Sequence, residues 1–102
     1  MKTTEDDFNA EINKGFYLVF FEEQWNTESQ KQLAILEKSI AALGSQVKLL
    51  TYDVDKDSEL AEHLRITTIP TLLLFKDGQE VVRLSGFHHE SALLKHIRPY
   101  TE

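Results

Sequence analysis

No cysteine occurs anywhere in the 102 residues. That absence excludes disulfides, thiolate metal sites and any reaction that runs through a sulfur nucleophile. By itself it says nothing about compartment. Long apolar runs are missing as well. The longest, Phe16 to Phe21, falls far short of the roughly 20 residues a membrane span needs, so no membrane partner is expected. A basic excess is also absent: 11 Lys and Arg face 17 Asp and Glu, for a formal net charge of −6. Such a surface repels phosphate backbones, which argues against nucleic acid as a partner. It favours solubility and steers weakly toward basic partners. There is no linker, repeat or low-complexity stretch, and proline appears only 2 times. The opening Met1-Lys2-Thr3-Thr4-Glu5-Asp6-Asp7 is too acidic for a secretory leader and lacks an apolar centre, which reads as cytoplasmic.

What is present is an ordinary soluble composition, 41% hydrophobic and 27% charged, over a length that suits one domain spanning residues 1–102. A chain of this size can bury a real core. Thr4 caps a short helix whose first turn is acidic, with Phe8 and Ile12 as its stripe and Gly15 as its stop. Phe16 to Phe21 reads as a central strand covered on both faces. The next helix begins near Asn26 or Thr27, and Thr27-Glu28-Ser29-Gln30 fits a capping box. Its apolar stripe is Leu33, Leu36, Ile40 and Leu43, and Gly44 ends it. Val47 to Val54 is a second strand. After a turn at Asp55-Lys56-Asp57, a helix capped by Asp57 or Ser58 turns Leu60, Ala61 and Leu64 inward. Thr71 to Phe75, an Asp77-Gly78 hairpin and Val81 to Leu84 follow. Gly86 breaks that strand, and Ser91 to Arg98 closes the chain with Leu93, Leu94 and Ile97 apolar. The order is αβαβαββα. Helices between the first strands imply parallel pairing by right-handed crossovers, and the hairpin adds an antiparallel edge.

Two landmarks stand out in this order. An apolar strand runs into Glu22-Glu23-Gln24-Trp25 and then a helix, and Thr68-Ile69-Pro70-Thr71 opens a later apolar strand. With Asp53-Val54-Asp55, Phe75-Lys76-Asp77-Gly78 and Gly86, the chain resembles the thioredoxin family over nearly its whole length. The resemblance implies an α/β thioredoxin-like fold with a central mixed sheet flanked by helices. The sheet is four-stranded, or five-stranded if Lys2-Thr3 adds a short strand. It also implies a cis-proline at Pro70. Three departures bear on activity. Asn26 and Ser29 stand at the two cysteine positions, Thr27-Glu28 replaces the intervening Gly-Pro, and Phe20 lies where the family has a buried aspartate. Neither an amide nor an unassisted hydroxyl replaces a thiolate in disulfide exchange. The expectation is a redox-inactive relative without catalytic residues or cofactor.

Asn26, Thr27, Glu28 and Ser29 have a simple reading as residues that cap exposed helix N–H groups. A sharper alternative makes Ser29 the activating hydroxyl of a glutathione-dependent transferase-like enzyme. A third reading is a structural subunit that uses another surface. The favoured expectation keeps the family's groove for binding a protein or peptide, as an adaptor or chaperone-like module. The resemblance implies that the residue before the proline offers its main chain to an extended segment, a mode that needs no thiol. The residues named for that groove are Trp25, Asn26, Thr68, Ile69, Pro70 and Phe87. Glu22, Glu23 and Glu28 would give it an acidic rim that selects basic partners. His88, His89 and His96 read as solvated residues and not as metal ligands, since neighbouring histidines in a loop seldom face one ion.

Overall fold

The structure is a computed structural model that describes residues 4–101. The elements are α1 (Thr4–Glu11), β1 (Phe16–Glu22), α2 (Thr27–Leu43), β2 (Val47–Asp53), α3 (Ser58–His63), β3 (Thr71–Lys76), β4 (Gln79–Ser85) and α4 (Glu90–Thr101). The sheet has the order β2-β1-β3-β4. Among the described residues no helix is long and apolar enough to cross a membrane. Lys2 and Thr3, where a fifth strand was expected at most, lie outside the described residues.

β1, like β3, has neighbours on both sides, and its side chains explain the layering. Leu18 and Phe20 point to one face and pack with Leu36 and Leu43 of α2 and Leu93 and Ile97 of α4. Tyr17, Val19 and Phe21 point to the other face and pack with Phe8, Ile12, Leu60 and Leu73. The alternation follows from the two-residue period of a strand. Because both faces are covered, the strand is apolar at every position from Phe16 to Phe21. Each such Phe or Leu removed from water is worth about 1.5–3 kcal/mol.

β1 and β2 pair in parallel through the α2 crossover. The second helical connection behaves differently: β3 runs antiparallel to β1, so a helix between strands does not bring a parallel pair here. The chain through α3 does not return to the start of β2. β3 starts at the end where β2 stops, and Glu22, Asp53 and Thr71 all lie at that end of the sheet. β4 follows through the Asp77-Gly78 turn, where both residues have positive φ, 49° and 86°. That is the twist a two-residue hairpin prefers.

Three local expectations shift. Thr4 is already helical, and the cap position before it falls outside the described residues. The cap of α2 is Asn26, not Thr27: its side chain accepts from the Ser29 N–H at 2.7 Å. Gln30 does not complete a capping box, since its amide donates to the Gln24 carbonyl at 2.8 Å. The fully buried line of α2 is Ser29, Gln32, Leu36, Ser39 and Leu43, while Leu33 and Ile40 are only half-buried. Polar residues can occupy that line because each finds a partner. The Ser39 hydroxyl, for example, lies 2.8 Å from the Ile35 carbonyl oxygen and 3.2 Å from Glu90 Oε2.

Candidate functional site

Three segments meet where β1 ends: the Trp25 turn with the start of α2, the Thr68–Pro70 loop, and residues 86–89 after β4. Two sets of hydrogen bonds tie them together. The Gly86 N–H donates to the Pro70 carbonyl at 2.7 Å. The His88 N–H donates to Gln32 Oε1 at 2.7 Å, and the Gln32 amide donates to the His88 carbonyl at 3.0 Å. The Trp25 turn is closed by the Asn26 N–H on the Glu23 carbonyl at 3.0 Å. Beneath it the Ser29 hydroxyl accepts from the Glu23 N–H at 3.4 Å.

Asn26 is spent on the helix cap, and Thr27 and Glu28 are exposed in its first turn. Ser29 is 1% exposed. A hydroxyl so placed holds the turn and is shut off from ligands in solvent. Phe20 is fully buried among apolar side chains, so no acid–base group stands behind the helix start. Trp25, by contrast, is 84% exposed, and the fold leaves its indole almost entirely in water. An indole so placed offers an apolar face and a polar N–H at one spot, the combination that enriches Trp at interfaces.

The Ile69–Pro70 peptide bond is cis. Pro70 is buried, and the Thr68 carbonyl accepts from the Thr71 hydroxyl. The Ile69 side chain is half-buried against the core that holds Phe8 and Phe75. Among the described residues no hydrogen bond engages the Ile69 N–H or C=O. Both groups are left to pair with water or with an added segment. Phe87 is half-buried with its ring edge-on to His89 at 5.0 Å between centroids. Glu28, Lys31, Phe87 and His89 line a shallow depression of about 360 Å³.

The electrostatics around the Trp25 turn are one-sided. Burial, and then the neighbouring Asp53 carboxylate, push the Glu22 carboxyl above its ordinary range. Tyr52 is raised first by burial and then by Asp57 and Glu11. The Asp53 carboxylate accepts from the Asp55 N–H at 2.8 Å and the Lys56 N–H at 3.3 Å, which makes it a turn-former. His88 Nδ1 lies 3.0 Å from the Gly86 carbonyl oxygen, and His96 is exposed on α4. Among the described residues no group of three or more His, Asp and Glu is placed to hold a metal ion.

Sequence reasoning missed Gln32, Lys31 and Arg83. Gln32 sits three residues after Ser29 and four before Leu36, so the helical period does mark it as inward-facing. Its polarity hid it. Arg83 ties β4 to the end of α3. It grips Glu80 in a fork at 2.8 Å and donates to the Leu64 carbonyl at 2.8 Å and the Arg65 carbonyl at 3.4 Å. No local pattern in the sequence announces that pairing.

Comparison with known proteins agrees with the fold. The sequence profile described as Thioredoxin matches residues 1–99. Thioredoxin of Bacillus subtilis is 33% identical over 93 residues, 91% of this chain and 89% of that protein. Thioredoxin of Staphylococcus aureus is 32% identical over the same shares. Mitochondrial thioredoxin 3 of Saccharomyces cerevisiae superposes with a TM-score of 0.83 at 28% identity, covering 91% of this chain and 87% of that one. Fasciola hepatica thioredoxin gives 0.81 at 27%, covering 94% and 90%. Sequence, sheet order and the proline loop thus converge, and the chain belongs to the thioredoxin family, without the cysteine pair.

Proposed function

We propose that this protein is a redox-inactive thioredoxin-fold domain that binds an extended segment of a protein partner without catalysis. The partner lies over Trp25, pairs with the main chain of Ile69 beside Pro70, and reaches toward Phe87. The observation that carries this reading is the coexistence of two facts. The helix start holds no thiol, with Asn26 as cap and Ser29 buried. Yet the recognition surface beside it stays open, with Trp25 84% exposed and the Ile69 peptide groups unpaired among the described residues. Main-chain pairing supplies affinity without chemistry, and an exposed indole supplies apolar contact area. A cytoplasmic adaptor or chaperone-like role suits such a surface.

The test is an affinity purification with wild type and Trp25→Ala in parallel. Partners lost with Trp25→Ala support the reading. Partners that stay bound point to a subunit that works through another surface. Binding of glutathione that is lost in Ser29→Ala would replace the reading with a transferase-like one.

A further inference from the structure

Carboxylates stand on both flanks of the Trp25 turn. On the β2 side, Glu22 closes β1 directly beside Asp53, its register partner. With Gln24, Tyr52 and Asp57 these two line a depression of about 430 Å³, in which Lys56 is the one lining cation. On the other flank, Glu28 and Lys31, three residues apart on α2, line the depression that holds Phe87. Trp25 follows Gln24 of the first depression and precedes Glu28 of the second. Among the described residues no Lys or Arg nitrogen comes within 4.0 Å of Glu22, Glu28 or Asp53; the ion pairs formed are His63–Glu5 and Arg83–Glu80, both elsewhere.

We infer that the segment held at this surface is basic: an extended peptide that lays Lys or Arg side chains on either side of an apolar residue seated near Trp25. This rests on the peptide-binding reading above and adds the sign of the partner's charge. The physics is complementarity. Like charges at Glu22 and Asp53 repel each other with no cation paired to either, and the raised Glu22 carboxyl reflects burial together with that repulsion. An arriving ammonium or guanidinium relieves it. The indole face is itself a platform for a cation, best of the aromatic side chains. An acidic peptide would meet repulsion at the Glu22–Asp53 pair, which excludes wrong partners as effectively as attraction selects right ones. The net charge of −6 acts in the same direction at long range.

The experiment is selection of a displayed library of random decapeptides on the full chain, followed by anisotropy titrations of labelled winners against wild type, Glu22→Gln/Glu28→Gln and Trp25→Ala. The expected winners carry an excess of Lys and Arg. Their affinity falls about tenfold in the double glutamine variant, a size set by two partly exposed ion pairs, and falls further with added salt. Thermal melts of that variant equal to or above wild type exclude misfolding as the cause. Winners without basic excess, or winners indifferent to the double variant, overturn the charge inference; if they still need Trp25, the peptide site itself stands. Basic winners that bind Trp25→Ala as well as wild type overturn both, because charge is then acting elsewhere. Failure to enrich any peptide overturns both as well.

Discussion

Gln32 and His88 hold each other by two hydrogen bonds running in opposite directions, at 2.7 and 3.0 Å, across 56 residues of sequence. Gln32 is 2% exposed, so water cannot replace either bond. This pair fastens residues 86–89 to α2 and so fixes where Phe87 sits relative to the Trp25 turn.

Gln32→Ala should lower stability by about 1–3 kcal/mol, the cost of stranding buried polar partners. For a domain of this size that is a melting-temperature drop of roughly 4–20 °C. Chemical denaturation checks the size. Hydrogen exchange at the His88 amide checks the location and should accelerate beyond what global destabilisation accounts for.

Trp25→Ala should change stability by less than about 0.5 kcal/mol, because the ring is 84% exposed and buries little to lose. A large loss in a thermal melt would mean that the indole packs against the body of the protein, contrary to its exposure here.

Glu22 gives a pH-dependent prediction. Its carboxyl is raised above the ordinary value of 4.5, by burial and then by Asp53. A carboxyl raised on folding favours the protonated form in the folded state. Its charge therefore costs stability above the folded pKa, and that cost vanishes as pH falls below the unfolded value. Glu22→Gln should stabilise the protein at pH 7 by up to about 0.5 kcal/mol and have no stabilising effect near pH 3. Melting curves at the two pH values decide it; equal gains at both would remove the electrostatic explanation.

Arg83→Ala should cost about 1–2 kcal/mol, since it removes donors to the Leu64 and Arg65 carbonyls along with the fork to Glu80. Arg83→Lys should recover only part of this, because an ammonium cannot make the planar fork. Arg65 holds a positive φ of 58°, so exchange should quicken first at residues 64–66. Uniform change across the chain would argue against a local strap.

Thiol chemistry offers the last check. The natural chain should not speed insulin reduction by dithiothreitol above a blank, for want of any thiolate. Asn26→Cys/Ser29→Cys should form a disulfide under oxidant and still reduce insulin feebly. Glu28 between the thiols opposes ionisation, and Phe20 offers no base for the second one. The variant should also lose about 1 kcal/mol with the Asn26 cap. Activity equal to that of an ordinary thioredoxin would show that the surroundings of the site had not diverged with the cysteines.

The sequence by itself determined the order of elements, the apolar central strand, the hairpin at Asp77-Gly78 and the family. These rest on short-range rules: strand and helix periods, turn residues and motif spacing. It also settled that no thiol reaction is available, because that depends only on which atoms the chain contains. Tertiary structure alone decided the rest. The direction of β3 depended on which end of the sheet the chain through α3 came back to. The choice of Asn26 over Thr27 as cap depended on where the Trp25 turn released α2. Gln32 and Ser39 face inward because partners from distant segments, His88 and Glu90, arrive to satisfy them, while the Trp25 turn satisfies Ser29 through the Glu23 N–H, and a one-dimensional pattern that equates inward with apolar cannot see such partners. The open peptide groups of Ile69 are likewise a property of the assembled chain, since whether a main-chain group is paired depends on what three dimensions bring beside it.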